Sequence, residues 1–198
     1  MSRWLLAGIS SLSPFGISIM VPLVPMLSIS LDRSVSDLQY LFSIYVIGLA
    51  VSQPLFGLVT DRTGRRPVLL WGFAVFVGAS ILLIFVDTLG AMIFLRFMQA
   101  VGVGVGTVVA RGLIRDHLPP DEALKTFALL TAAMGFTPVI APVVGGYLAS
   151  LLGMASVFVV LALLGAGLLL LCVKSSPHDG PVDQDEGQAA SLKGYLSL

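Results

Sequence analysis

The 198-residue chain is 57% hydrophobic and only 11% charged, with 11 Lys/Arg offset by 11 Asp/Glu. A soluble domain carries about 25% charged residues. Together with a mean hydropathy of +0.99, this excludes a disordered chain and a nucleic-acid binder, and argues against an ordinary soluble enzyme. The single cysteine, Cys172, rules out an internal disulfide. The chain reads as an integral membrane protein.

The gaps between charges locate the spans. Uncharged runs of 28 residues (Arg3 to Asp32), 23 (Asp37 to Asp61) and 20 (Arg66 to Asp87) are followed by a stretch, 88–110, with Arg96 as its one charge. A final run of 48 lies between Lys125 and Lys174. A membrane helix needs about 20 apolar residues, so the first four windows predict one span each and the last predicts two. The turn between those two falls near Ser150–Ser156 and contains Gly153. The predicted spans are 4–28, 39–59, 68–86, 90–112, 126–148 and 155–173, an all-α six-helix bundle. The runs are continuously apolar rather than alternating, which disfavours strands. Residues 1–173 form the membrane domain. Residues 174–198, which include SSPHDGPVDQDEGQ, read as a cytoplasmic linker.

Lys and Arg set the expected orientation. With the N-terminus inside, nine of the eleven fall in cytoplasmic segments, Arg33 falls outside and Arg96 lies within a span. This predicts cytoplasmic N- and C-termini. Trp4 and Trp71 then fall near the inner interface, and Tyr40 and Tyr147 near the outer one, as in an aromatic belt.

The link between the second and third spans is GLVTDRTGRRPVLL, residues 57–70. So short a connection makes its two helices adjacent and antiparallel. Gly57 is expected to let helices approach closely, Gly64 to supply a positive φ, and Pro67 to sit in a first helical turn. Asp61 beside Arg62, Arg65 and Arg66 is placed for a charge network. Plain loop charge would explain the arginines, but not Gly57, Asp61, Gly64 and Arg65 at these spacings.

This segment resembles the G-x-L-a-D-r-x-G-r-r-x-x-x-l signature of the major facilitator superfamily. Gly57, Leu58, Asp61, Arg62, Gly64, Arg65, Arg66 and Leu70 match, and Thr60 stands where a small residue is usual. LRFMQAVGVGVG (95–106) resembles the fourth-helix pattern R-x-x-Q-G through Arg96 and Gln99, with Ala100 for Gly. GFTPVIAPVVGGYL (135–148) resembles the fifth-helix antiporter motif through Gly135, Pro142, Gly145 and Gly146. Pro138 and the pair Ala141-Pro142 are similar to the bicyclomycin-resistance and chloramphenicol-efflux (Bcr/CflA) branch of drug:proton antiporters.

The resemblance implies one six-helix half of a twelve-helix transporter, itself built from 3+3 inverted repeats. It implies (multi)drug or small-molecule efflux by alternating access across a bacterial inner membrane. Spans one, two, four and five would face the cavity, and three and six the lipid. Arg96, Gln99 and Gln53 are expected as cavity-side polar groups, and Asp61, Arg65 and Asp116 as a cytoplasmic gating relay. Snorkelling is the competing reading of Arg96. The expected partners are a small-molecule substrate, lipid, and a missing C-terminal half or a second copy. A metabolite carrier and a truncated, non-transporting half remain the alternatives. Where many relatives carry an acidic residue in the first helix, this chain has Ser18, and no carboxylate lies inside any predicted span. Proton coupling through this half is therefore open. Gly102, Gly104 and Gly106 lack phosphate-loop spacing and read as a packing surface. No catalytic, metal or cofactor site is expected; His117 and His178 have no second ligand nearby.

Overall fold

The computed structural model describes residues 2–175, and the predicted linker beyond Ser175 lies outside them. The described residues contain no strand. The first span is α1 (Arg3–Ser18), a one-turn 3₁₀ segment at Val21–Leu23, and α2 (Val24–Ser30). A short α3 (Val35–Leu38) leads into the second span, α4 (Tyr40–Thr63). The remaining four spans are α5 (Arg65–Leu82), α6 (Leu89–His117), α7 (Pro120–Leu152) and α8 (Ala155–Ser175). All six are long and apolar enough to cross a membrane.

Two findings correct the sequence-based boundaries. At the end of the bundle where α6 meets α7, the helices run well past the apolar windows. α6 has 29 residues and α7 has 33, or about 43 and 50 Å at 1.5 Å per residue, against a hydrocarbon core of about 30 Å. Counting charge gaps finds only the part of a helix that sits in hydrocarbon. The charged turns at Arg111–Asp116 and Asp121–Lys125 are helix as well, and only Leu118 and Pro119 separate α6 from α7. The third span, in contrast, stops at Leu82, four residues short of the predicted end. Second, the first span is broken. Ile19 and Met20 form a turn, after which Pro22 and Pro25 occupy early positions of the two short helices that follow. A proline lacks the N–H that a continuing helix needs.

α6 is the centre of the bundle. Its most apolar window is 67% buried, against 17% for α4 and α7. It packs against α4, α5 and α1; α1 packs against α7, and α5 against α8. The fit at α6 depends on residues without side chains, as its glycine run predicts. A Cβ on Gly102 would lie 2.7 Å from the Phe76 amide nitrogen and closer still to the Gly72 carbonyl. A Cβ on Gly106 would lie 2.7 Å from the Ile9 carbonyl oxygen. Small residues let backbones approach in a bilayer, where no hydrophobic force draws helices together.

The contacts follow the order expected of inverted repeats. The first helix of each triplet meets its counterpart (α1 with α6), and so does the third (α5 with α8). The second helix of each triplet packs on the first helix of the other: α4 on α6, α7 on α1. Trp4, Trp71, Tyr40 and Tyr147 are all exposed on the outside of the bundle, as an aromatic belt requires.

Candidate functional site

Polar groups gather in two places. The first lies inside the bundle, where α1, α4, α5 and α6 meet. Arg96 and Gln99, one turn apart on α6, are both fully buried. Arg96 Nη1 donates to Gln99 Oε1 at 2.5 Å, and Nη2 donates to the Gly16 carbonyl at 3.0 Å. The guanidinium carbon sits 4.4 Å from the centroid of the Tyr45 ring, within cation–π range. Gln99 Nε2 donates to Ser80 Oγ at 2.7 Å, and Ser80 Oγ donates to the Phe76 carbonyl at 2.7 Å. Arg96 Nε has no partner among the described residues.

The break in the first span explains this arrangement. Gly16 is in the last turn of α1, whose carbonyls the helix itself leaves without N–H partners. A cation at a helix C-terminus also meets the negative end of the helix dipole. Arg96 thus supplies a donor and a positive charge where α1 stops inside the membrane. Gly16 in addition leaves the space that the Tyr45 hydroxyl occupies, and that hydroxyl donates to the Ser13 carbonyl at 3.3 Å. An arginine at the centre of a helix costs about 2.5–3.5 kcal/mol on insertion scales. Here the ring, the amide and the carbonyl offset that cost without a carboxylate.

The second place is a cleft of about 540 Å³ at the end of the bundle where α4 meets α5, bounded by α4, α6 and α7. Gln53, Gly57 and Thr60 line one wall and repeat at i, i+4, i+7, one face of α4. Arg111, Gly112 and Arg115 of α6 form another wall, and Arg65 reaches in from α5. Gly64 is the whole junction between α4 and α5, with φ 84° and ψ 163°, a conformation essentially confined to glycine. This junction turns Arg65 toward α6, where it forms an ion pair with Asp116. Gly112 lies against it: a Cβ there would be in ordinary van der Waals contact with the Arg65 guanidinium at 3.5–3.6 Å. Arg115 Nε donates to the other Asp116 oxygen at 2.8 Å. Asp116 lies in the last turn of α6, outside the hydrocarbon. Partial burial would raise its pKa, but the hydrogen bonds and charges of Arg115 and Arg65 outweigh this and hold it below the ordinary carboxylate range. It stays ionised at neutral pH. Arg66 donates to the Val173 carbonyl at 3.2 Å, tying α5 to the end of α8.

The predicted residues therefore fall into separate groups. Arg65 and Asp116 form an ion pair; Asp61 belongs to the last turn of α4, and its side chain lies outside the described ones. Gln53 is exposed on the cleft. Arg96 and Gln99 do not join it: the structure places them inside the bundle rather than on a cavity surface, and Arg96 does not snorkel. The reason is that their partners Gly16, Tyr45 and Ser80 close over them. Gly57 brings no described helix close, since a Cβ there would meet nothing within 4 Å among the described residues. In the fifth-helix motif, Gly145 packs directly on the Ile19 carbonyl and Gly146 lies against Pro22, so both abut the break in the first span. Gly135 meets nothing within 4 Å, and Pro138 and Pro142 lie inside the unbroken α7. Sequence reasoning missed Gly16, Tyr45, Ser80 and Gly112. Of these, only Tyr45, an aromatic hydroxyl at mid-span, carried a signal that it needed a buried partner.

The architecture and these motifs agree with the comparisons to known proteins. A bacterial homologue of the human lysosomal transporter Spinster, in an inward-facing and unoccupied conformation, superposes with a TM-score of 0.75 at 15% sequence identity, covering 90% of this chain and 43% of that one. The multidrug resistance protein MdtL of Escherichia coli O45:K1 is 34% identical over 173 residues, 86% of this chain and 44% of that protein. MdtL of Shigella dysenteriae serotype 1 is 33% identical over 196 residues, 96% and 50% of the two lengths. The chain thus spans about half the length of the curated relatives it matches. The Major Facilitator Superfamily model matches residues 6–197. A six-helix bundle of inverted triplets, with the signature of the second-to-third-helix junction folded around Gly64, is what that match requires, and the chain belongs to the Major Facilitator Superfamily.

Proposed function

We propose that this chain forms the N-terminal half of an efflux transporter for drugs or other small molecules, working by alternating access in a bacterial inner membrane with both termini cytoplasmic. The observation that carries the reading is the cleft. It opens at the cytoplasmic end beside the Arg65–Asp116 ion pair, on the two helices, α4 and α7, that the bundle itself covers least. Their exposed apolar residues, among them Ile47, Val51, Leu55, Val139, Ile140 and Val143, form a surface that a second six-helix half would cover. The similarity to MdtL favours drugs over metabolites as cargo. Asp61, at the cytoplasmic end of α4, gates the closed state through the helix dipole of the other half. Protons couple outside this half, which places no carboxylate within its hydrocarbon-spanning windows.

The test is accumulation of a cationic dye, a neutral antibiotic and a metabolite panel in an efflux-deficient strain, with and without an uncoupler. The chain is expressed together with a second six-helix half. Lower accumulation of dye or antibiotic supports the proposal. Selective movement of metabolites moves it to the carrier reading, and unchanged accumulation of every compound overturns it.

A further inference from the structure

We propose that the cytoplasmic cleft binds an oxyanion, a carboxylate or phosphate carried on an apolar body. Taking that anion as the cargo rests on the transport reading above; the binding site does not.

The described lining of the cleft is rich in guanidinium groups. Arg65, Arg111 and Arg115 line it, and no carboxylate does among its described lining residues. Asp116, just outside, accepts hydrogen bonds from Arg65 and Arg115. Both share this carboxylate, and Arg111 adds a third guanidinium to the described lining. Arg111 is exposed and has no hydrogen bond or ion pair among the described residues.

Thr60 supplies the second, independent observation. A threonine inside a helix ordinarily donates its hydroxyl to the carbonyl four residues back. Thr63, Thr126, Thr131 and Thr137 all do so here. Thr60 does not: it lines the cleft at 7% exposure, with Oγ1 buried and without a partner. A buried hydroxyl left bare costs about 1–3 kcal/mol, so a ligand acceptor that draws this hydroxyl round toward the cleft gains affinity. The Gln53 amide lies two turns away on the same face of α4, and Gly57 between them keeps the wall open. Val108, Val109 and Phe127 give the apolar side. Guanidinium and hydroxyl donors converging beside an apolar wall suit an amphiphilic anion. A lipophilic cation gains none of these donors at this cleft.

The test compares three probes that share one apolar body: pyrenebutyrate, pyrenebutanol and a pyrenebutyl-trimethylammonium salt. Binding to the full chain in phosphatidylcholine nanodiscs is read by fluorescence anisotropy against empty discs. The anion is expected to bind at least about tenfold more tightly than the alcohol, and the cation more weakly than either. Arg111→Gln should remove the preference for the anion. Thr60→Val, which keeps the side-chain volume, should weaken the anion about threefold. Arg33→Gln, at the opposite end of the bundle, should change nothing. Equal binding of all three probes, or an anion preference that survives Arg111→Gln, overturns the proposal. Repeating the titration with phosphatidylglycerol in the discs separates two sources of the oxyanion. Loss of the difference between wild type and Arg111→Gln identifies a lipid headgroup as the occupant, and persistence identifies a soluble anion. A chain that binds the anion yet moves no compound keeps the site and loses the transport reading.

Discussion

Replacing Arg96 with methionine should destabilise the bundle by about 2 kcal/mol, and replacing it with lysine should be worse. Methionine leaves Gln99 Oε1 and the Gly16 carbonyl bare in a dry interior, at about 1–3 kcal/mol each. It also removes the stacking on Tyr45, worth about 1 kcal/mol. Against these losses stands the relief of no longer burying a cation, about 3 kcal/mol on insertion scales. Lysine keeps the charge and its burial cost. Its compact ammonium cannot span Gln99, Gly16 and the Tyr45 face together as the planar fork does. The measurement is the SDS concentration at half-unfolding, followed by far-UV circular dichroism in mixed micelles. The order expected is wild type, then methionine, then lysine. A double change, Arg96→Met with Gln99→Leu, should recover part of the methionine loss, because removing both partners of a buried hydrogen bond leaves fewer groups bare. Lysine matching the wild type would mean that charge alone matters and would refute the geometric account.

Three further outcomes are expected. Gly145→Val should destabilise the bundle by about 1–3 kcal/mol and lower the same unfolding midpoint, because its side chain runs into the Ile19 backbone; Gly135→Val, with nothing within 4 Å, should sit close to wild type. Gly64→Ala should cost about 1–3 kcal/mol through its backbone conformation alone, with normal folding of that variant counting against the junction as described. Asp116→Asn should cost no more than about 1 kcal/mol at neutral pH, as partly exposed ion pairs do. Because the Asp116 pKa is depressed in the fold, its contribution is present above the usual carboxylate range and is lost as pH falls through the depressed value. Wild type and variant midpoints should therefore converge only in acid.

The sequence made some of this legible and hid the rest for physical reasons. Charge gaps locate six spans because hydrocarbon tolerates few charges. The same rule is blind to helical turns in water, so the ends of α6 and α7 escaped it. Gly64 and Gly153 were readable because turns so tight demand positive φ, and both have it, at 84° and 82°. Arg96 was visible as an anomaly, but its surroundings were not. Its partners lie 80 residues away at Gly16 and 51 residues away at Tyr45, and no local pattern connects them. Arg65 and Asp116 were read together only through the family motif, which is how a pairing 51 residues apart becomes visible in one sequence.

The single-residue joint at Gly64 also bears on motion. A long loop would let α4 and α5 tilt independently, but here only the torsions around one glycine lie between them. The Arg65–Asp116 pair then fastens that joint to α6, and Arg66 fastens it to the end of α8. The ends of α4, α5, α6 and α8 at this joint are thus linked to one another. Any rocking that opens and closes the cleft must carry them together and take up its bending elsewhere, and the break at Ile19–Met20 is the softer place in the first span. Spin-label distances among these linked ends of α4, α5, α6 and α8 should stay fixed while distances to the ends of α7 change.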